Sequence, residues 1–317
     1  MTRAQKAALA HNSQMVYGTA VMCFLRFAVW YNVSCAPPSD TTLAAFVVFQ
    51  SATCSFSTLK VYLAGIRNWV MAMGFEFKPW SQRFPVYSAM RGIKRLNFDK
   101  VSRKLAVTPE MLLGFYKILD MSDPNDVVMW AAMLVAFFGL FRKDNISVGK
   151  EAAFNPRANL TRSDFIWHMN QLWVRVRHSK TNQFHQRCHW VPLLPIPGHP
   201  MCPVVAVMKA FAMYPEGDPK GPAFIWQEAG QTGPLRHNHF VTKFKWLVAQ
   251  LGMDWSRYSG HSFRRGGAVF CFSIGACPDL VKALGDWTSN AYQVYDECTT
   301  ARRLALPRAM SQAIAKI

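Results

Sequence analysis

SGHSFRRGGA, Ser259 to Ala268, is the stretch on which the reading of this chain turns. His261 and Arg264 stand three apart where a helix opens, so both side chains reach one point. The free N–H groups of a helix N-terminus add donors and partial positive charge suited to an anion. Gly266 and Gly267 follow, and two residues without Cβ permit another backbone to come close. Taken alone, the stretch has a lesser, alternative reading as a basic cap with His261 bonded locally.

Three further stretches change that balance. Downstream lies LGDWTSNAYQVYDE, Leu284 to Glu297, where a tight Gly285 turn presents Trp287 and Tyr295 follows eight residues later. Upstream, GLFRKDN (Gly139 to Asn145) places Arg142 just past an apolar helix expected over Val127 to Phe141. Between them, RHSKTNQFHQR (Arg177 to Arg187) places Lys180 at the tip of an expected hairpin. Singly, these are a solvated arginine, a turn lysine, a core tryptophan and a helix tyrosine. Jointly, they meet the demands of breaking a phosphodiester without a metal. Arginine forks hold the non-bridging oxygens, a nucleophile attacks, and an acid protonates the leaving oxygen.

In order and spacing, the four stretches resemble the catalytic domain of the tyrosine recombinases, also called the phage integrase family. The family's pattern of Arg, hairpin Lys, His-x-x-Arg, His or Trp after a Gly turn, and Tyr falls here on Arg142, Lys180, His261 with Arg264, Trp287 and Tyr295. Tyr17 to Leu96 resembles the family's helical core-binding domain, so the resemblance covers nearly the whole chain. It implies a mainly α fold with a small antiparallel β-sheet: a helical core-binding domain of about five helices over 1–100, and a mixed α/β catalytic domain over 101–317. It implies site-specific cleavage and rejoining of double-stranded DNA through a 3′-phosphotyrosine on Tyr295, by a homo-tetramer acting on two duplexes, with no cofactor and no metal. One position departs from the pattern: the acid usual three residues after the first Arg is Asn145 here, with Asp144 off register by one. The Asp286–Trp287 pair and the step to Tyr295 look more like the recombinases of eukaryotic mobile elements, DIRS-like or Crypton-like. That origin implies action in the nucleus; otherwise the cytoplasm is expected.

Composition agrees with a polyanionic partner. Lys and Arg total 36 against 18 Asp and Glu, a formal net charge of +18. Such an excess repels itself unless an anion offsets it, and nucleic acid fits better than an anionic membrane surface. With 51% hydrophobic and 14% aromatic residues, the chain has ample core material. Met1 to Gln14 lacks the apolar segment of a secretory signal, and the eight cysteines lie scattered rather than as a disulfide framework. These point to a protein that is neither secreted nor membrane-bound.

The first hundred residues read as helices. Tyr17 to Tyr31 is apolar, and Leu43 to Phe49 follows an Asp40–Thr41–Thr42 capping signal. Ser57 to Gly74 carries Leu59, Tyr62, Leu63, Ile66, Val70 and Met73 at helical spacing, and a short helix starts at Pro85. Lys60, Arg67, Arg91, Lys94 and Arg95 are the DNA-facing candidates on these helices; Arg177, Lys243 and Arg265 are those of the second domain. Asn97 to Thr108 reads as the linker. Strands are expected over Leu172 to Arg177 and Cys188 to Leu193, a helix over His237 to Leu251, and helices after His261 separated by Gly turns at Gly266–Gly267, Gly275 and Gly285.

Three rival readings deserve weight. His185-x-x-Cys188 and His199-x-x-Cys202 have ligand-like spacing, but the segment between them reads as a strand and a Pro turn, and Cys202–Pro203 begins a helix. A domesticated recombinase could keep the fold, bind DNA and leave it uncut; Asn145 is the one mark in its favour, against the complete set of catalytic groups. A type IB topoisomerase shares the chemistry, and the helical first domain and compact length favour the recombinase.

Overall fold

The structure is a computed structural model and describes residues 8–96, 103–149, 152–169, 171–179, 182, 188–295 and 310. The chain divides into two compact units, Met1–Ser102 and Arg103–Ile317. Among the described residues the first unit is all-helical: α1 (His11–Trp30), α2 (Asp40–Gln50), α3 (Phe56–Ala72), a 3₁₀ turn at Trp80–Gln82, and α4 (Phe84–Leu96). Serines start two of these helices. Ser39 Oγ accepts from the Thr42 N–H at 3.0 Å and Ser55 Oγ from the Thr58 N–H at 3.2 Å, each satisfying one orphan donor of a first turn. The cap of α2 thus lies one residue ahead of the Asp40–Thr41–Thr42 signal. Gly74, at φ +91°, follows the end of α3, a backbone conformation natural to glycine. Phe24, Phe46, Leu59, Ile66, Val86 and Met90 are fully buried and form the core of this unit.

The second unit opens with α5 (Pro109–Ile118), whose Thr108 Oγ1 caps the Met111 N–H at 3.3 Å with proline in the first turn. Next comes α6 (Pro124–Phe138), buried from Asp126 through Phe137. An apolar surface on every side makes it the central element of this core. It ends at Phe138 rather than Phe141, because Leu140 adopts φ +50° and turns the chain. A single turn, α7 (Lys143–Ile146), follows. A three-stranded antiparallel sheet is then built from β1 (Phe165–His168), β2 (Gln171–Val176) and β3 (His189–Leu193), in the order β1-β2-β3. Strict alternation along β2 buries Leu172, Val174 and Val176. After α8 (Pro203–Ala212) comes a hairpin of β4 (Ile225–Glu228) and β5 (Gln231–Pro234), then α9 (His237–Gln250). The site is completed by α10 (Ser262–Ser273), α11 (Pro278–Leu284) and a 3₁₀ segment over Asn290–Tyr295.

Gly266 and Gly267 lie inside α10, not in a turn. A Cβ at Gly266 would strike the Val107 carbonyl oxygen, and one at Gly267 the carbonyl oxygen of Phe137. The missing side chains let α10 lie directly against α6 and against the segment entering α5, which is how the two arginine-bearing stretches meet. No helix among the described residues is long and apolar enough to cross a membrane.

Candidate active site

Arg264 is the centre of the arrangement. It emerges from the first turns of α10, is 2% exposed, and is the bulkiest of the fully buried side chains. Nη1 donates to the Leu140 carbonyl and Nη2 to the Gly285 carbonyl, the latter at 2.7 Å. Its guanidinium carbon sits 3.7 Å from the centroid of the Trp287 ring, within the range of a cation–π contact. One side chain therefore joins the turn after α6 to the turn after α11. Burial, followed by the neighbouring Arg142 charge, pushes the Arg264 guanidinium down to about 9, while Tyr295 and Asp286 oppose the shift. It stays charged at neutral pH.

Trp287 is buried, and Gly285 has no Cβ because the indole occupies that space. Its ring centroid lies 5.8 Å from that of Tyr295 and 6.1 Å from that of Tyr292. The two tyrosines share a 3₁₀ segment, in which residues three apart fall on one face. Tyr292 is 5% exposed and stacks on Phe272 with centroids 6.4 Å apart, whereas Tyr295 is only partly buried.

Arg142 caps α7, and its backbone N–H donates to Asn145 Oδ1 at 3.1 Å. His261 precedes α10, with solvent access to its ring. Partial burial, then Arg264 and Arg142, lower the proton affinity of His261, while Asp144 raises it. That influence brings Arg142, His261 and Arg264 into one electrostatic neighbourhood. Lys180 lies outside the described residues; Ser179 beside it is buried and forms an antiparallel bridge with Asn182.

The cations expected to face DNA differ in how they are engaged within each unit. Lys60 and Lys94, both exposed, converge on the Phe56 ring at 5.8 Å each. Arg91 donates to Tyr87 Oη at 3.3 Å, Arg67 Nε to the Phe77 carbonyl at 3.1 Å, and Arg95 is exposed. In the second unit, Arg177 pairs with the fully buried Asp164, which also takes Arg175 at 3.0 Å. Lys243 pairs with Asp126 at 2.6 Å, and Arg265 donates to the Lys104 carbonyl at 2.9 Å. At the other ligand-like pair, the His199 ring accepts from the Met201 N–H and the Cys202 sulfur from the Ile196 N–H; His185 lies outside the described residues.

Two groups beside the site have partners that sequence reasoning did not find, although it named Asp144 and Asp286 themselves. One is Lys143, Asp144 and His237: Lys143 Nζ bonds the Asp144 carboxylate and meets His237 Nδ1 at 3.1 Å, and His237 Nε2 lies 3.2 Å from Asp144. Burial disfavours the charged Asp144 carboxylate, yet Lys143, His237 and His261 outweigh it and hold the group below its usual range. The sequence signal for it was Asp144, one residue off the expected acid position; Lys143 and His237 carried none. The other is the carboxylate of Asp286, which the sequence marked only as the neighbour of Trp287 and not as a partner of Ser179.

No protein-family model and no curated protein sequence matches the chain. Solved structures do. A lambda integrase dimer bound to a COC′ core site aligns at a TM-score of 0.62 and 14% identity, over 94% of each chain. The Tn1549 transposon integrase in complex with transposon right-end DNA aligns at 0.64 and 11%, over 97% of this chain and 95% of that one. XerH site-specific recombinase bound to a palindromic difH substrate aligns at 0.60 and 14%, over 87% and 72%. At such identities the likeness is one of architecture. The chain has the tyrosine-recombinase fold, mainly helical with small antiparallel sheets.

Proposed function

We propose that this chain cuts and rejoins duplex DNA through a covalent bond between Tyr295 and a 3′-phosphate. The observation that carries the reading is the cluster at Trp287, with the Arg264 guanidinium 3.7 Å from the ring centroid and the Tyr295 ring, tilted to it, 5.8 Å away, centroid to centroid. The DNA-bound integrases and recombinase of the same fold support it. So does the net charge of +18, which favours a polyanion.

In this mechanism Arg142 and Arg264 hold the non-bridging oxygens of the scissile phosphate with His261. Tyr295 Oη attacks phosphorus; the new Oη–P bond forms as the P–O5′ bond breaks, leaving a 3′-phosphotyrosine and a free 5′-hydroxyl. His261 assists removal of the phenolic proton, and Lys180 supplies the proton that the 5′-oxygen takes. A free phenol has a pKa of about 10, so the cationic neighbourhood is what makes Tyr295 reactive near neutrality. Rejoining reverses each step, and the phosphotyrosine conserves the energy of the broken bond. Fixed arginine charge stabilises the transition state without a metal. The finer reading is a site-specific recombinase working as a tetramer on two duplexes. As the enzyme of a eukaryotic mobile element it acts in the nucleus; otherwise it acts in the cytoplasm.

The decisive experiment is a covalent-adduct assay in excess EDTA, read as a protein–DNA band on a denaturing gel. The wild type forms the band. Tyr295→Phe abolishes it and still binds duplex DNA, while Tyr292→Phe, altered in a buried stacking residue, still forms it. An adduct that survives in Tyr295→Phe and disappears in Tyr292→Phe would overturn the assignment. A second reading, a fold that binds DNA without cutting it, has Asn145 in its favour; it predicts binding with no adduct for any form of the protein.

A further inference from the structure

Among the described residues, side chains from three different parts of the second unit donate hydrogen bonds to the turn at Leu284–Gly285–Asp286. The Leu284 carbonyl accepts from His189 Nε2 on β3 at 3.0 Å. The Gly285 carbonyl accepts from Arg264 Nη2 at 2.7 Å. The Asp286 carboxylate accepts from Ser179 Oγ, just beyond β2, at 3.2 Å. Both legs of the β2–β3 hairpin are thereby fastened to the turn that carries Trp287, and the same turn is fastened to Arg264.

Asp286 is an expensive residue to keep in this place. It is 9% exposed and sits at φ +53°. The left-handed conformation costs a residue with a Cβ on the order of 1 kcal/mol or more, and a desolvated carboxylate adds a further penalty. Aspartate and asparagine tolerate that backbone best among such residues. Its partner Ser179 is also buried, at 6% exposed, and exchanges backbone hydrogen bonds with Asn182, whose side-chain amide donates to the Arg177 carbonyl at 3.0 Å. A hydrogen bond between a buried hydroxyl and a buried carboxylate is costly to break, because either group left without it keeps its desolvation penalty.

We infer that Asp286 is a positioning residue that, through Ser179, locks the β2–β3 hairpin to the turn bearing Trp287. The inference rests on the phosphotyrosine reading for its catalytic meaning: Ser179 directly precedes Lys180 in the chain, so loosening the fastening impairs delivery of the proton to the leaving 5′-oxygen. It leaves phosphate holding by Arg142 and Arg264 in place.

The test compares two DNA substrates in the full-length protein. One is ordinary; in the other the 5′-bridging oxygen of the scissile phosphate is replaced by sulfur. A thiol has a pKa of about 8.5 and departs as thiolate without a proton donor. Asp286→Ala and Ser179→Ala, which break the connection from opposite sides, should each slow cleavage of ordinary DNA on the order of 10²-fold, the lower end of what a positioned general acid contributes. The sulfur substrate should restore most of that rate in both, as it should in Lys180→Ala. Asp286→Asn, which keeps an acceptor oxygen and tolerates the backbone, should recover most of the rate on ordinary DNA. Hydrogen exchange gives an activity-free readout: amides of β2 and β3 should exchange faster in Asp286→Ala, with α8 unchanged. Equal slowing on both substrates, or unaltered exchange in the hairpin, overturns the inference. If the wild type forms no adduct with either substrate, the phosphotyrosine reading fails, and the exchange experiment alone decides whether Asp286 fastens the hairpin.

Discussion

Lysine at position 264 preserves a charge and removes a shape. In the native site the guanidinium fork reaches two carbonyls at once, those of Leu140 and Gly285, while its central carbon lies over the Trp287 ring. A lysine ammonium is a point donor; it reaches one carbonyl and leaves the other buried without a partner, at about 1–3 kcal/mol. Loss of the cation–π contact adds about 0.5–2 kcal/mol. Together, Arg264→Lys should cost roughly 1.5–5 kcal/mol of stability, with a midpoint of about 3, against the 5–15 kcal/mol typical of a folded domain. The protein should fold, with its melting temperature lowered by roughly 3–20 °C for a unit of this size. Single-turnover adduct formation should fall on the order of 10²–10³-fold, the loss typical of one pre-placed donor. Affinity for duplex DNA should change by less than about tenfold, because many other cations contribute. Thermal melting, adduct kinetics and a binding titration on one preparation separate these effects. Native melting in the variant would refute the carbonyl bridge, and near-native cleavage would remove Arg264 from the phosphate.

The remaining expectations concern binding. Affinity for duplex DNA should fall log-linearly with salt, by about 10³-fold or more between 50 and 200 mM; Lys60→Ala and Lys94→Ala should each flatten the slope by about one, and a slope unchanged in both would take their shared face off the DNA. His261 has its proton affinity lowered by partial burial, Arg264 and Arg142, and a bound phosphate offsets those positive charges. The pKa is thus higher in the complex than in the free protein, protons are taken up on binding, and affinity should strengthen as pH falls through the window between the bound value and the lowered free one. At constant ionic strength this slope should be weaker in His261→Asn; an identical slope would assign the proton elsewhere.

How much of this was legible in the sequence follows physical lines. The long helices were, because burial imposes a 3.6-residue period: α3 begins at Phe56, next to the expected Ser57, and ends just before Gly74. Strand β2 was legible through its alternation. Three strands were not: β1 is four residues long, and β4 and β5 carry no clear alternation, with β5 containing both glycine and proline. Gly266–Gly267 was rightly read as a place of close backbone approach and wrongly as a turn, since composition does not distinguish a bend from a helix pressed against its neighbour. The cations of the second unit were legible as charge but not as partners. Arg177 faces Asp164 thirteen residues earlier in the chain, and Lys243 faces Asp126 on a different helix. Such pairings are made by the tertiary fold and leave no local signature.

Asn145 is where the departure from the catalytic pattern meets the structure. Its side-chain oxygen accepts the Arg142 backbone N–H at 3.1 Å and so helps hold the turn that presents Arg142. An acid could make the same bond; what asparagine omits is the charge. One residue earlier, Asp144 supplies a negative charge, held ionised by Lys143 and His237 and acting on His261. The usual carboxylate is thus absent at position 145, while the adjacent Asp144 carboxylate raises the proton affinity of His261. If that is sufficient, Asn145→Asp adds little: the hydrogen bond persists, the His261 proton affinity rises, and adduct formation stays within about tenfold of the wild type, the scale of roughly one pKa unit in a catalytic group. Asp144→Asn should be the more harmful change, with a larger loss near neutral pH. The opposite ranking, a gain on the order of 10²-fold in Asn145→Asp with Asp144→Asn silent, would mean that the asparagine disables the site. The DNA-binding reading would then describe the native protein better than the enzyme reading does.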